Sequence, residues 1–583
     1  MHWPVFLLFL LFAGSASAQL VFRDGFEARA LKSGLGTNLE AVEDFAAAYP
    51  FVDFFKQSRP WFTANQTTFD TDEAAQLDLD ADGWVRSLPP CDPAPPQFCF
   101  ARTVLNSGGA DYPNGEYTVL YDGQGTLTYS GAASVIARMP GRDRIAIDAD
   151  DIVVITLTET APAPNHLRNI RVLAPGFVPE QPVPIPTFHP DFLARLMPYR
   201  AIRFMDWMRA NGGGFGGAEN PQVSFTQRPR VTDAQWTREG GVPLEVMIDL
   251  ANAAAAEPWF TLPHGVDDDY VRQFAALVKT RLTPGRRVYV EHSNEVWNSF
   301  PQGFAVEDAA LAQFPGGSDS AFTKRMNLHG LRTAQICRMF REVYAQAPAR
   351  DTREIVCTLG AQAANAFTAT EAADCPLAVA AGLAQQRCLG PDDAVAIAPY
   401  FGNYLDVPLN ANEVQTWTLD KLFAEINQGG QLADSFDDAS TPCSENFPQN
   451  RTLPCPMSAL AEVQLWMQSQ RSAAISRGMR LIAYEGGQHL VGVQGVENNT
   501  AVTALFVAAN RDARMGAAYA AYLASWKASG GELFVHFTLT SGYGRFGSWG
   551  ALEGLKQSPE PPKQQALVQF NAANPCWWAG CND

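Results

Sequence analysis

The chain has 583 residues, too many for one small domain and suited to two or three. A net charge of −18 argues against nucleic-acid and anionic-membrane partners, while neutral sugars remain compatible with it. The composition is otherwise that of an ordinary globular protein, with Trp, Phe, Gly and Pro plentiful.

Residues 1–18 read as a signal peptide. The apolar run Val5–Ala13 is followed by small residues ending Ala16-Ser17-Ala18, which predicts cleavage before Gln19 and a secreted product. The n-region carries His2 but neither Lys nor Arg, and the run is too short to span a bilayer. No later apolar run is long enough to do so. The ten cysteines fit the oxidising compartment that export implies. Close sequence pairs, Cys91/Cys99, Cys375/Cys388, Cys443/Cys455 and Cys576/Cys581, read as loop staples. Cys337 and Cys357 remain as a candidate fifth bridge, although sequence does not fix connectivity. A zinc site is disfavoured, because there is no CxxC and the eight histidines are scattered.

After the leader, residues 19–61 read as a first βα unit, with a strand at Leu35–Leu39 and a helix over Ala48–Ser58. Residues 62–184 change texture. Short alternating runs such as Gly115–Gly123, Gly125–Gly131, Ile145–Ile147 and Ile152–Leu157, bounded by Gly, Asp and Asn, predict an inserted antiparallel β-sandwich. Its aromatics Trp84, Tyr117, Tyr121 and Tyr129 are read as core packing, with sugar binding the alternative. Asp78-Leu79-Asp80-Ala81-Asp82-Gly83 has the spacing of a calcium loop, yet Pro89 stands where an EF-hand needs Glu. A solvated acidic turn is therefore preferred to a structural calcium at Asp78, Asp80 and Asp82, and no cofactor is expected.

From residue 185 to 560, apolar runs alternate with Ala-rich helical stretches. The runs are Ala201–Met205, Pro258–Leu262, Val288–Glu291, Ile355–Leu359, Ala394–Ala398, Leu481–Tyr484 and Leu533–Phe537. Helices are predicted over Pro243–Ala254, Tyr270–Arg281, Ala321–Gln346, Ala459–Arg477 and Arg514–Ser529. With Leu35–Leu39 these runs make eight βα strands, so the predicted fold is an α/β (β/α)8 TIM barrel carrying the sandwich as an insertion. An open doubly wound sheet is the alternative, but no glycine-rich loop follows the first strand. Residues 561–583 read as a disulfide-stapled C-terminal tail.

Glu295 and Glu485 end the fourth and seventh of these strands, where a barrel places its catalytic groups. Two carboxylates on one sheet are what glycoside hydrolysis needs: one protonates the leaving oxygen, and the other attacks the anomeric carbon or activates water. Asn294, beside Glu295, is a candidate donor to a sugar hydroxyl next to the reacting carbon.

Glu291-His292-Ser293-Asn294-Glu295-Val296-Trp297-Asn298 resembles the strand-4 motif of clan A glycoside hydrolases, and Tyr484-Glu485-Gly486-Gly487 resembles their strand-7 nucleophile motif. The resemblance covers most of the chain outside the β insertion, and no individual family within the clan is assigned. It implies a retaining enzyme with Glu295 as acid/base and Glu485 as nucleophile. Glu295 is then expected to be protonated at rest, beside the negative charge of Glu485. It also implies that Arg203 holds Glu485 ionised, with a structural salt bridge the alternative, that Tyr400 is the aromatic partner of the nucleophile, with a core tyrosine the alternative, and that Trp549 is the floor under the sugar. Trp549 lies well past the eighth strand for that role. His264, Asp206, Trp207, Trp297 and His489 also lie near strand ends, as subsite contacts or as packing.

The expected function is hydrolysis of a β-linked poly- or oligosaccharide by a secreted monomer. A non-catalytic carbohydrate-binding protein on the same scaffold is the alternative. A serine esterase ranks lower, because no G-x-S-x-G elbow is present.

Overall fold

The computed structural model describes residues 33–91, 98–108, 111–148, 151–181, 183–212, 220, 222–432 and 457–581. The expected signal peptide and the Cys443/Cys455 pairing lie outside them. Eight parallel strands close into a barrel in chain order: β1 (Leu35–Asn38), β2 (Ala201–Arg203), β3 (Glu257–Leu262), β4 (Val288–His292), β5 (Ile355–Ala361), β6 (Ala394–Ile397), β7 (Arg480–Ala483) and β8 (Phe534–His536). β1 closes the ring by pairing with β8 through Leu35↔Phe534 and Thr37↔His536. This is a TIM barrel, with every expected strand in its expected place.

The barrel strands are apolar because both their faces are covered, by the barrel interior and by the outer helices. β3 and β4 are buried along their whole length. The surrounding helices begin where the sequence supplies a cap. Asp267 accepts the Tyr270 amide at 2.7 Å ahead of Asp268–Arg281, and Ser458 accepts from Ala461 ahead of Ala459–Ile475. The helix expected over Ala48–Ser58 is absent. Only one 3-10 turn forms there, Phe54–Gln57, capped by Asp53 and closed by Ser58. Pro50 and an aromatic run draw this segment into packing instead: Tyr49, Phe51, Phe54 and Phe55 are all buried, and β1 is followed by a core-filling loop.

Between β1 and β2 lie two four-stranded antiparallel sheets. One is ordered Phe62–Ala64, Phe100–Asn106, Val153–Thr160, Gly125–Gly131, and the other Arg168–Leu173, Gly115–Asp122, Arg142–Ile147, Ala133–Met139. Arg142–Ile147 alternates partly and fully buried residues, as a strand with one face on a core must. Trp84 and Tyr117 are buried in the same continuous core that fills the barrel. The three aspartates of the acidic turn serve separate partners. Asp78 pairs with Arg86, Asp80 with His166 and two turn amides, and Asp82 with Thr232 and Arg230. Among the described residues no group of three or more His, Cys, Asp or Glu side chains is placed to hold a metal.

Among the described residues, four disulfides join Cys91–Cys99, Cys337–Cys357, Cys375–Cys388 and Cys576–Cys581, as an oxidising compartment allows. Among the described residues no helix is long and apolar enough to cross a membrane. The last staple holds a loop at the start of the barrel strands. Arg200, one residue before β2, donates to Ser33 O and Cys581 O, both at 2.8 Å, with its guanidinium over the Trp578 ring. Trp577 donates to Gly531 O at 2.8 Å. That end of a barrel serves stability, whereas the opposite end serves chemistry. Trp578→Ala is therefore expected to lower unfolding free energy by about 2–4 kcal/mol in urea titrations and to leave ligand binding at the barrel mouth unchanged.

Candidate active site

The strand C-termini build the site around one side chain. Arg203, the last residue of β2, is 0 % exposed, so all five of its N–H donors need partners inside the protein. Its Nε donates to Glu291 Oε2 (3.0 Å) and Nη2 to Glu291 Oε1 (3.2 Å), a bidentate pair. Nη2 also reaches Asn294 Oδ1 at 2.7 Å. Nη1 donates to Asn38 Oδ1 at 3.2 Å and to Glu485 Oε1 at 2.6 Å. The Tyr484 ring lies 4.8 Å from the guanidinium carbon. Strands β1, β2, β4 and β7 are thus joined through one cation.

Each carboxylate is oriented by a different set of donors. Glu485 is 6 % exposed and takes Arg203 on one oxygen and the Tyr400 hydroxyl on the other, at 2.9 Å. Glu295 takes the Tyr484 hydroxyl at 2.6 Å and Asn298 Nδ2 at 2.7 Å. Burial raises the Tyr400 and Tyr484 hydroxyls well above their usual range, so both remain protonated donors. Burial also pushes the Glu485 carboxyl up to about 7, against the opposing pull of Arg203. Asp206 is raised to about 6 by burial and by the charge of Glu485. Glu40, just past β1, is raised to about 8 by burial, its amide bond from Ala47 opposing and Asp206 adding. Arg203 thus faces Glu291 and Glu485 directly, while Asp206 is drawn down by Arg209 as well as by Arg203.

Local backbone geometry aims these groups. Ser293 and Glu295 have φ of 57° and 45°, a left-handed turn that costs roughly 1–3 kcal/mol per residue. The turn is held by the Ser293 amide on Leu262 O and the Asn298 amide on Glu295 O. After Glu485, a Cβ on Gly486 would stand 2.5 Å from the Phe534 ring, so only glycine lets the chain leave the barrel there.

A cavity of about 380 Å3 opens over the two glutamates. It is lined by expected residues, Glu295, Trp297, Tyr400, Glu485, His489 and Trp549, and by Asn298, Phe300, Gln362, Trp466, Tyr484 and Phe537, which sequence reasoning missed. Trp549 reaches the cavity despite its distance from β8. Gly547 has φ of 113°, and a Cβ there would collide with the Trp549 indole nitrogen at 2.1 Å, so the chain folds back only through glycine. Trp549 then meets Tyr400 and His489 edge-on, with ring centroids 5.7 and 5.2 Å away. His489 Nδ1 bonds Asp406 Oδ2 at 2.7 Å. Opposite, Trp466 comes from the helix Ala459–Ile475. Gln470, one turn further on, pins that helix to Gln362 O and Ala363 O at 2.7 and 3.1 Å.

Other expected residues lie elsewhere. Asn294 is 2 % exposed and bonds Arg203 and Asn211. Arg203 itself is sealed beneath the cavity and has no surface to offer a ligand. Trp207 is core: it packs on Phe51, Phe192 and Phe204 and donates to Glu40 O. His264 and Asp206 are not among the cavity-lining residues. Glu291 had a legible signal. An acid inside an apolar barrel strand requires a buried partner, and Arg203 inside another such strand is its complement.

No family model and no curated protein matches the chain. Among solved structures it is similar to a GH51 arabinofuranosidase from Xanthomonas axonopodis pv. citri, at 11% identity and TM-score 0.33, covering 67% of this chain and 68% of that one. It is also similar to a family 5 xyloglucanase from Paenibacillus pabuli, at 10% identity and TM-score 0.31, covering 67% and 91%. A GH5 xyloglucan-specific β-1,4-glucanase from a ruminal metagenomic library gives 13% identity and TM-score 0.31, covering 67% and 97%. At these scores the fold assignment rests on the closed strand order of the barrel itself.

Arg203→Met would strand Glu291 and Glu485 without their cation. The expected loss is about 3–5 kcal/mol of stability at pH 7 in urea unfolding. The gap to wild type should narrow as the pH falls and the stranded carboxyls take up protons.

Proposed function

We propose that the chain is a secreted retaining glycoside hydrolase acting on β-linked poly- or oligosaccharide. Glu485 is the nucleophile and Glu295 the acid/base. The observation that carries this reading is the unequal treatment of two carboxylates on one cavity. Glu485 is fixed from beneath by Arg203 and Tyr400, as an attacking oxygen must be. Glu295 stands on Tyr484 and Asn298 at the cavity wall.

In the first step Glu485 attacks the anomeric carbon while Glu295 transfers its proton to the departing glycosidic oxygen. The charge on Glu485 is consumed in the covalent ester, and Glu295, now ionised, takes a proton from water. The water oxygen attacks the same carbon and releases Glu485, so two displacements retain the anomeric configuration. As glycosylation proceeds, Arg203 and Tyr400 remain in place to receive Glu485 when it departs. The aromatic walls suit a sugar, whose apolar ring faces stack on Trp297, Trp466 and Trp549, and their neutrality matches a neutral substrate. The cavity volume lies within the range of ordinary small-ligand sites. We read 62–184 as an inserted domain and 185–560 as the remainder of the catalytic barrel.

Purified protein screened on a polysaccharide panel should release reducing sugar from at least one member. Glu485→Gln should abolish turnover. Glu295→Gln should lose roughly 10²–10⁴-fold on substrates whose leaving group needs a proton. Because Glu485 must be ionised to attack, and burial places it at about 7, kcat/KM should fall as the pH drops through about 7. Saccharide binding without product release by wild type, together with unchanged binding in Glu485→Gln, would favour a binding protein and reject the hydrolase.

A further inference from the structure

Glu291 never reaches the cavity. It is 1 % exposed and lies on β4, four residues before Glu295. Yet it accepts four hydrogen bonds: two from Arg203, one from Trp259 Nε1 at 2.8 Å and one from the Thr261 hydroxyl at 2.9 Å. Trp259 and Thr261 come from β3, whose Thr261 stands in register with Glu291. The result is a −/+/− arrangement, Glu291–Arg203–Glu485, in which both acids draw on one guanidinium. Glu291 holds it through two N–H groups and Glu485 through one.

We propose that Glu291 is a positioning residue that sets the proton affinity of Glu485 by controlling how much of the Arg203 charge Glu485 receives. This rests on the hydrolase reading for its catalytic consequence, though not for the electrostatic effect itself. Glu291 and Glu485 share the charge of one guanidinium. A cation bound bidentately by one buried carboxylate is largely neutralised before it meets the second. The indole and hydroxyl donors from β3 disperse charge on Glu291 and so leave more of Arg203 for Glu485. Glu485 meets the same guanidinium through Nη1 alone, at 2.6 Å, while Nε and Nη2 are turned to Glu291.

The other ionisable groups around this set are few and fixed. From β7, Tyr484 faces Arg203. From the end of β6, Tyr400 bonds Glu485. From the turn after β4, Glu295 raises Glu485 whenever it is itself ionised, which favours states in which only one of the two carries charge. From the end of β2, Asp206 is coupled to Glu485 and, beyond it, to Glu40 after β1. β1 contributes the neutral Asn38, and β5 places Thr358 in register with Glu291. β8 contributes the His536 carbonyl, which holds Asn38. Removal of the Glu291 charge therefore leaves Arg203 facing Glu485 as its main remaining anion.

The test titrates the Glu485 carboxyl by carbon-13 NMR on glutamate-labelled full-length protein, assigned by the resonance lost in Glu485→Gln. In Glu291→Gln the midpoint should move down by about one pH unit. In Thr261→Val, which removes one donor from Glu291 and concentrates its charge on Arg203, the midpoint should move up. Opposite displacements are the signature, since loosened packing alone would not reverse sign between the two. The acid limb of kcat/KM should follow each midpoint. An unmoved midpoint, or the same direction in both variants, overturns the proposal, and if Glu291→Gln does not fold, the sign in Thr261→Val decides it. Midpoints that separate while the acid limb stays fixed overturn the catalytic consequence. A wild type inactive on every glycoside tested, with midpoints still separating, rejects the hydrolase reading and leaves the electrostatic control standing.

Discussion

A buried guanidinium has five N–H groups and no water to give them to. Arg203 meets that demand with Glu291, Asn294, Asn38 and Glu485, side chains on or just beyond three strands of the barrel besides its own. Much else in the site follows from this. Asn38 can serve Arg203 because its own amide is tied to the Tyr484 and His536 carbonyls across the closure of the barrel. Asn294 sits under Glu295 because its oxygen is committed to Arg203 and its nitrogen to Asn211, which Gln302 also holds. The cation beneath the cavity therefore locates the turn that presents Glu295 as well as the oxygen of Glu485.

Above that layer the cavity is built from loops of different origin. Glu295, Trp297 and Phe300 follow β4, Gln362 follows β5, Tyr400 follows β6, and His489 follows β7. Trp466 arrives on a helix between β6 and β7, and Trp549 returns from beyond β8. This division is what a barrel permits: the strands and their ends hold the buried cation and its partners within a rigid ring, and the loops supply the surface of the cavity. The stapled C-terminal loop at the opposite end is separated from that chemistry and contributes to holding the ring together.

The barrel was legible because its signal is repeated eight times. Each buried strand is a short apolar run, and the helices between them are long enough to be told apart from it. The sandwich was legible from alternation bounded by turn residues, and Cys91–Cys99, Cys375–Cys388 and Cys576–Cys581 from short sequence separations, whereas Cys337–Cys357 was only the pair left over. The segment after β1 was misread as helix because local composition hides its aromatics' tertiary role: Tyr49, Phe51, Phe54 and Phe55 pack into the core from a loop. Glu291 was seen only as part of a motif, although a charge inside an apolar strand implies a buried partner. Trp466, Gln362 and Phe537 carried no comparable signal. Their places in the cavity depend on how helices and loops return over the mouth, which no local pattern encodes. Trp207 shows the converse, since its position near a strand end did not decide which way its ring would point.

In the proposed reaction Glu485 attacks the anomeric carbon and Glu295 serves both displacement steps. Proton NMR of the anomeric signal in the first product, recorded before mutarotation, tests this most directly. Release of the same anomer that the substrate carried, together with covalent labelling of Glu485 by a 2-fluoroglycoside in a separate, inactivated sample, is the predicted result. First release of the opposite anomer, or attachment of the label to another residue, would contradict it.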